Sequence, residues 1–254
     1  MINELRASGV DAMFDIYNET LGVSVITVIL PDWYRSMSQE EKKKPITHMK
    51  LAALVKASSL LLGFGFKDIV VAYIGPGYER FEGKSVHQIA REEGMSDLNA
   101  YLMLCEVSNF SGRVNMGPYS TPSIISEFEH NENCLYMTDA WVEDHGVQNP
   151  AIYDCYPKFL RDSLLGTGDT LPNTVRRMTG AIADRFMVPE RGYLKEGYYA
   201  DLTVFDEDAI RRAIPDQEKP FGIEKLFING KMVMDNGKLD EEALKTTGRA
   251  IRVF

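Results

Sequence analysis

The spacing of hydrophobic positions changes several times along this chain of 254 residues, and each change predicts a secondary-structure element. Two early runs rich in β-branched residues predict strands bounded by Gly22 and Pro31, "VDAMFDIY" and "LGVSVITVILP". A helical spacing begins after Pro45, and it is followed by the apolar run "DIVVAYIG" and a glycine-rich turn. This part of the chain therefore predicts two strands, an amphipathic helix and a further strand.

Capping residues predict the boundaries of the next helices. Ser85 and Gln88 form a capping-box pattern ahead of "VHQIAREE", which Gly94 ends, and Ser96 precedes a second helical run. Farther along, "GRVNMGPYS" and "NENCLYMTD" predict short strands separated by a helix over "TPSIISEFEH". One more helix is predicted over "TLPNTVRRMTGAIADRF", with Thr170 as its cap.

The last part of the chain changes to a pattern of strands and glycines. The runs "RGYLKEGYYADLTVFD" and "IEKLFINGKMVMDNGKL" predict strands, and Asn229 and Gly230 form an "NG" pair that favours a tight hairpin turn. We therefore expect a small β domain at this end.

Composition narrows the class of protein. With 44% hydrophobic residues and no run near the roughly 20 apolar residues of a membrane span, the chain predicts a globular protein of the cytoplasm with no membrane partner. A net charge of -9 argues against a nucleic-acid partner. The three cysteines, Cys105, Cys134 and Cys155, form no metal-binding or disulfide pattern and are expected to be reduced thiols, mainly in the core.

Several motifs, in the right order along nearly the whole chain, resemble the D-aminoacylase branch of the amidohydrolase superfamily. "GVDAMFDIYNETLG" followed by "LPDW" resembles the family pattern G-x-D-V-x-x-D-x-Y-P-Y-T-A-G followed by L-P-x-W. "MTDAW" resembles S-D-G or S-D-A, and "NPAIYDCYPKFL" resembles H-P-R-x-Y-G-x-F-P-R-x-L. Further similar stretches are "GKSVHQIAREEG", "VRRMTGAIADRF" and "RGYLKEGYYADLTVFD".

This resemblance implies an α/β fold, the C-terminal part of a metal-dependent amidohydrolase (β/α)8 TIM barrel with an insertion, plus strands of a small β-sandwich. Catalytic groups of such barrels lie at the carboxyl ends of strands. The run "CLYM" matches the eighth strand, where family members place an aspartate that binds metal and acts as general base. The resemblance therefore assigns both roles to Asp139, although a lone aspartate here would otherwise be interpreted as a turn cap.

The family's remaining metal ligands have no counterpart in this sequence. An H-x-H pair on the first strand, a cysteine or similar ligand on a later one and histidines on the fifth and sixth are all missing. The chain has four histidines, none spaced to share a strand end or helix face: His48, His87, His130 and His145. Most ligands of the implied zinc are therefore expected from a missing N-terminal half.

The alignment also predicts the domain bounds. Met1 falls just before the family's sixth strand, so residues 1–190 are expected to supply the sixth to eighth barrel strands, with a lid-like insertion at about 30–110. Residues 191–254 are expected to supply the C-terminal strands of the β-sandwich. Such a piece of a barrel leaves sheet edges open. We expect the N-terminal half of the enzyme, or self-association, to cover them.

Departures from the family motifs bear on the substrate. Asn149, Pro150 and Ala151 stand where the family has H-P-R, so the arginine that would hold a substrate carboxylate is absent. Tyr17 stands where some members place a metal histidine, and Asn18 replaces a proline. The residues predicted to bind substrate are Asn149 and Tyr153, which are expected to share one loop, together with His145 and Tyr17.

The function predicted from these residues is hydrolysis of a linear amide, as in N-acyl amino acid deacylation. A metal-activated water would attack the carbonyl with Asp139 as general base, and the chain would need an N-terminal half for activity. The alternative is a non-catalytic remnant of the amidohydrolase fold or a partner-binding subunit.

Overall fold

The structure, a computed structural model, describes residues 1–142, 144–213 and 221–251. These residues form two compact units. The first unit contains Met1–Glu19, Pro122–Asp139 and the described part of Pro150–Phe254. The second contains Thr20–Thr121 and the described part of Ala140–Asn149.

Helices and strands are spread over both units. In chain order the helices are α1 (Ile2–Ala7), α2 (Asp32–Arg35), α3 (Gln39–Lys42), α4 (Pro45–Leu62), α5 (Val86–Glu92), α6 (Asp97–Val107), α7 (Pro122–Glu129), α8 (Ala151–Leu165), α9 (Leu171–Met178), α10 (Gly180–Arg185), α11 (Glu207–Arg212) and α12 (Glu241–Thr247). The strands are β1 (Phe14–Ile16), β2 (Gly22–Val25), β3 (Ile69–Tyr73), β4 (Arg113–Met116), β5 (Cys134–Tyr136), β6 (Leu202–Phe205), β7 (Ile223–Ile228), β8 (Lys231–Asp235) and β9 (Lys238–Leu239). Short 3-10 helices lie at Ile26–Ile29, Phe66–Asp68 and Glu79–Phe81.

A parallel pair of strands, β1 and β5, lies in the first unit. Phe14 pairs with Cys134 and Ile16 with Tyr136. All three residues of β5 are buried, as expected for a strand of a parallel sheet with covered faces. Helix α8 contributes to that cover, because the ring of Phe159 stacks on Tyr136 with ring centres 3.9 Å apart.

The sequence predicted three barrel strands, and the described residues contain two in a parallel sheet. The segment ahead of β1 forms α1, which ends at Ala7. The run after Gly22 pairs with β4 in an antiparallel sheet of the second unit. Two parallel strands among the described residues thus match the predicted barrel strands, and the assignment of a third within residues 1–190 stays a prediction.

An antiparallel sheet in the order β2-β4-β3 forms the second unit's framework. Its apolar core includes Phe81, Tyr101 and Leu104, which are at most 1% exposed. Strand β2 ends at Val25, earlier than the predicted end near Pro31, and one further backbone hydrogen bond joins the Ile26 N–H to the Gly112 carbonyl at 2.7 Å. The chain then continues as a 3-10 helix.

The predicted helix caps are confirmed at two serines and differ at one threonine. Ser85 and Gln88 form a complete capping box at α5, and the Ser96 hydroxyl accepts from the Asn99 N–H at α6. Thr170 stands at the N-cap position of α9, but its side chain makes no cap hydrogen bond. The single helix predicted after Thr170 is two helices, α9 and α10, separated by a break in backbone conformation at Thr179.

The four strands β6 to β9 form an antiparallel sheet in chain order within the first unit. Asn229 and Gly230 connect β7 and β8 with φ of 51° and 81°, the left-handed pair that a type I′ hairpin requires. The predicted hairpin is therefore confirmed. Among the described residues, no helix combines the length and apolar character needed to cross a membrane.

Candidate active site

Tyr17 and Asp139 lie at the same edge of the parallel strand pair. Tyr17 follows β1 directly, and Asp139 is the third residue after β5. The Met137 N–H donates to the Ile16 carbonyl at 2.9 Å and continues the pairing past the last residue of β5. Because the strands are parallel, their carboxyl ends share one edge, and the structure brings these two predicted site residues to it.

The Asp139 side chain is exposed and held on an unusual backbone. Its φ is 43°, in the left-handed region that residues other than glycine seldom adopt. Within the described residues its carboxylate forms no hydrogen bond or ion pair. Such backbone conformations occur often at active sites. The carboxylate is therefore available to a ligand.

Tyr153 lies in the first turn of α8 and is half-buried. The sequence interpretation placed it in a loop running from Asn149, and this part of the prediction is wrong. The helix begins at Ala151, directly after Pro150, whose fixed φ suits a helix start. The Tyr153 N–H donates to the Pro150 carbonyl at 2.9 Å, which closes the first turn.

The predicted substrate-binding residues His145 and Asn149 belong to the second unit. Asn149 is 2% exposed, and its side-chain amide donates to the Asn115 Oδ1 on β4 at 3.5 Å. His145 is exposed, with its ring centre 5.6 Å from that of Tyr73. Their substrate-binding roles stay predictions, as do those of Tyr17 and Tyr153.

Ala151 occupies the position at which the family motif has arginine. It is the first residue of α8 and is 2% exposed. Its methyl group is therefore enclosed by protein.

A buried polar network in the first unit was not predicted from the sequence, and Asn18 is at its centre. The Asn18 side-chain amide donates to Glu129 Oε1 at 3.2 Å and to Asp162 Oδ2 at 2.7 Å. Its backbone N–H donates to the Cys155 Sγ at 3.2 Å. The signal in the sequence was the replacement of the family's proline by Asn18, since only a residue with an amide N–H and a polar side chain makes these bonds.

Burial shifts the protonation of the two carboxyl groups that Asn18 joins. The pKa of Glu129 is raised to about 8, first by burial and next by the nearby Asp162 carboxylate, while Arg177 acts to lower it. Burial likewise raises the pKa of Asp162, against the hydrogen bond from Asn18. Near neutral pH, Glu129 is therefore mainly protonated, which lets the two carboxyl groups lie close together without repulsion.

A second set of charged groups, buried or half-buried, connects α8 to the segment after β1. The Lys158 ammonium contacts Glu19 and lies 3.1 Å from Asp154 Oδ2. Burial raises the pKa of Asp154 to about 6 and lowers that of Lys158 to about 8. Both groups are charged between these values. The spacing of four residues along "YDCYPKFL" was the signal that they share one helix face.

The described residues do not by themselves fit a metal ion. No group of three or more histidine, cysteine, aspartate or glutamate side chains in the described ranges is arranged to hold one. Each of three histidines already has a polar partner: His48 with Asn99 Oδ1, His87 with Asp97 and His130 with the Ser126 carbonyl. Asp139 is the residue that the family resemblance assigns as a ligand.

The cysteines are confirmed as free and buried. Burial raises the pKa of all three thiols, Cys105, Cys134 and Cys155, to about 12. At neutral pH they are therefore protonated, and Cys155 donates its S–H to the Met137 carbonyl at 3.1 Å.

The fold is that of an amidohydrolase. A D-aminoacylase that defines a novel subset of amidohydrolases matches 99% of this chain with a TM-score of 0.71 at 21% identity. N-acyl-D-glutamate deacylase from Bordetella bronchiseptica, solved with zinc and a phosphonate inhibitor, matches 91% with a TM-score of 0.65 at 21% identity. The chain spans 45% and 41% of these two proteins.

Sequence comparison identifies particular relatives. N-acyl-D-aspartate deacylase of Alcaligenes xylosoxydans xylosoxydans is 34% identical over 77 residues, which are 29% of this chain and 15% of that protein. D-aminoacylase of the same organism is 33% identical over 89 residues, 34% of this chain and 18% of that protein. No family model matches the chain. The resemblance to the D-aminoacylases, a metal-dependent amidohydrolase family, is thus confirmed.

Proposed function

We propose that this chain forms part of the active site of a metal-dependent amidohydrolase that removes the acyl group from an N-acyl amino acid or a related linear amide. The observation that carries the proposal is Asp139, an exposed carboxylate at the carboxyl end of β5. Barrel enzymes place catalytic groups at such strand ends. The similarity to D-aminoacylases over nearly the whole chain supports an amide substrate.

Asp139 acts as the general base in this proposal. Its carboxylate accepts a proton from a water molecule as the water oxygen bonds to the amide carbonyl carbon. The same carboxyl group then gives that proton to the nitrogen as the carbon–nitrogen bond breaks, leaving a carboxylic acid and a free amine. Tyr17, at the same strand edge, and Tyr153 contact the substrate. For His145 and Asn149, a substrate contact rests on the sequence alone.

The metal ion, taken as zinc, requires ligands that the described residues do not supply. The proposal therefore includes ligands supplied by an N-terminal half of the enzyme or by a further copy of this chain. Asp139 is the one ligand that this chain contributes. Zinc analysis of the isolated chain is expected to find less than one tightly bound ion for each chain.

The substitution Asp139→Asn tests the catalytic role, because it keeps the size of the side chain and removes the base. The protein is purified with its partner, supplied with zinc ion and assayed for amine release from N-acetyl-D-glutamate, N-acetyl-D-aspartate and N-acetyl-D-methionine. Turnover is expected to fall by ~10²–10⁴-fold, the range for loss of a general base. A matched control is Asp144→Asn, another exposed carboxylate, which should retain wild-type turnover.

Two results would contradict the proposal. Turnover of Asp139→Asn within a factor of two of wild type, with an unchanged circular dichroism spectrum, would remove Asp139 from the mechanism. A wild-type complex that hydrolyses none of the three probes would instead favour a non-catalytic, partner-binding role for the fold.

A further inference from the structure

A cavity of about 760 Å³ lies in the second unit, beside the C-terminal half of α4. Its walls are mainly apolar, and they include Ile29, Val55, Phe64, Phe66 and Leu98. This volume falls within the roughly 300–1,000 Å³ of pockets that bind small molecules. The cavity is therefore large enough for a ligand with a substantial hydrocarbon part.

The polar groups at this cavity have a net positive charge. Lys56, Lys67, His87 and Asp97 line it. The His87 Nδ1 lies 3.0 Å from Asp97, so the one carboxylate at the cavity already has a partner. Neither lysine forms an ion pair within the described ranges, and both are exposed. Even with the imidazole counted as neutral, two ammonium groups exceed one carboxylate, although the whole chain has a net charge of -9.

Apolar side chains at the end of α4 extend the cavity wall toward solvent. Leu60 and Leu62 line the cavity and are 79% and 54% exposed. Leu61, between them, is 87% exposed. We define these three exposed leucines as the apolar patch at the end of α4, and exposed apolar surface next to a cavity is typical of a surface that binds a ligand or a partner. Apolar walls next to unpaired cations favour a ligand with a hydrocarbon chain and a negative end.

We propose that this cavity binds an unbranched amphipathic carboxylate, such as a medium-chain fatty acid. The hydrocarbon chain packs against the apolar walls, and the carboxylate faces the ammonium groups of Lys56 and Lys67. Binding at this cavity is separate from the proposed hydrolysis and does not require Asp139. Failure of either proposal therefore leaves the other untouched.

A chain-length series tests the hydrocarbon part of the proposal. Hexanoate, octanoate and decanoate, each below its micelle concentration, are titrated into the full chain by isothermal titration calorimetry. Each added methylene is expected to strengthen binding about fourfold, as for transfer of a CH₂ group from water to an apolar site. Decanol, which has the same chain without the charge, is expected to bind roughly fivefold more weakly than decanoate.

Matched double substitutions test the charged part. Lys56→Gln with Lys67→Gln should weaken decanoate binding roughly fivefold and leave decanol binding unchanged. The control, Lys43→Gln with Lys44→Gln, makes the same change in net charge at exposed lysines that do not line the cavity, and it should bind decanoate as wild type does. Val55→Trp places an indole ring in the cavity and should weaken binding of both ligands while the circular dichroism spectrum stays unchanged.

Three results would overturn the proposal. The first is no saturable binding of decanoate by the wild-type chain. The second is equal weakening of decanoate binding by both lysine pairs, which would show a response to net charge alone. The third is wild-type decanoate affinity in a folded Val55→Trp variant. A concentration-dependent dimer that Leu61→Ser disrupts, found without decanoate binding, would assign the apolar patch to self-association.

Discussion

The two units of this chain bury different kinds of side chain. The second unit has an apolar core in which Leu104, Phe81 and Val71 are at most 1% exposed. The first unit also buries charged or ionisable groups, among them Glu129, 2% exposed, and Asp154, 1% exposed. Apolar burial stabilises through removal of hydrocarbon from water, which does not depend on pH. Burial of a carboxyl group has a cost that depends on its protonation.

From this difference we expect the stability of the chain to depend on pH mainly through the first unit. The groups with strongly raised carboxyl pKa values, Glu129 and Asp154, are both in the first unit. A change of pH through the neutral range therefore acts on the first unit through groups that α7 and α8 hold. Substitutions in the two units should differ in size and, above all, in pH dependence.

The largest expected effect comes from removing the cation of the first unit's buried ion pair. Lys158→Met leaves Asp154 and Glu19 without their counter-charge. A buried pair broken from one side destabilises by about 3–5 kcal/mol, since the remaining charge stays desolvated. Urea unfolding at pH 7, followed by circular dichroism, measures this loss.

The double variant Lys158→Met with Asp154→Asn is the matched control for that loss. It removes both charges of the pair and should recover much of the stability. If the double variant is as unstable as the sum of the two single variants, the pair is not the cause.

A somewhat smaller loss is expected in the apolar core. Leu104→Ala removes buried methyl groups from the second unit and should cost about 3 kcal/mol, within the range for such truncations. The loss should be the same at pH 5 and pH 8, because none of the described buried side chains in this apolar core changes its charge between these values. Leu61→Ala, at an exposed position, should change stability by less than about 0.5 kcal/mol. If the stability lost in Leu104→Ala varies with pH, the proposed difference between the two units is contradicted.

Glu129→Gln tests the pH dependence of the first unit. The folded pKa of Glu129 is about 8 and its ordinary value is 4.5, so below 4.5 both states hold the proton and no cost arises. Between 4.5 and 8 the unfolded chain loses the proton while the folded chain keeps it, so stability falls as pH rises. Glutamine has no proton to lose and should remove this fall. On going from pH 4.5 to pH 8 the variant should gain up to about 4 kcal/mol relative to wild type.

Glu127→Gln, at an exposed position on the same helix, is the control for this effect. It should follow the wild-type pH profile. Parallel profiles for wild type and Glu129→Gln would show that Glu129 is ionised in the folded protein at neutral pH.

The sequence predicted those features that depend on neighbouring residues. The Ser85 capping box and the Asn229–Gly230 hairpin are local, because the residue types alone favour the observed backbone. The Asn18 network could not be predicted this way, since its hydrogen bonds to Glu129 and Asp162 cross 111 and 144 residues of sequence. Such contacts depend on how β1, α7 and α8 pack.

The candidate site was predicted only in part, and that part depended on the family motif, because the local residue pattern alone did not indicate it. A strand followed by an aspartate is a common pattern, so the assignment of Asp139 depended on the family motif around it. The helical position of Tyr153 was missed, because "NPAIYDCYPKFL" was compared with the family motif and not with the pattern of a helix start. In the structure Pro150 precedes the helix and Pro157 lies inside it, where packing by Phe159 and other buried residues outweighs the lost hydrogen bond.

The smallest effect is expected when a charged side chain that has no partner is introduced into the first unit. In the family motif the position of Ala151 holds an arginine, and from the sequence alone Ala151→Arg would be expected to improve hydrolysis of substrates with a free carboxylate. In the structure Ala151 is 2% exposed at the start of α8. A guanidinium there overfills its surroundings and lies at the positive end of the helix dipole, so we expect a loss of about 1–2 kcal/mol. Ala151→Met, which adds volume without charge, separates the two causes: a loss equal to that of arginine would assign the whole effect to packing. Urea unfolding of both variants at pH 7 measures the difference, and an arginine variant as stable as wild type would show that the long side chain reaches solvent.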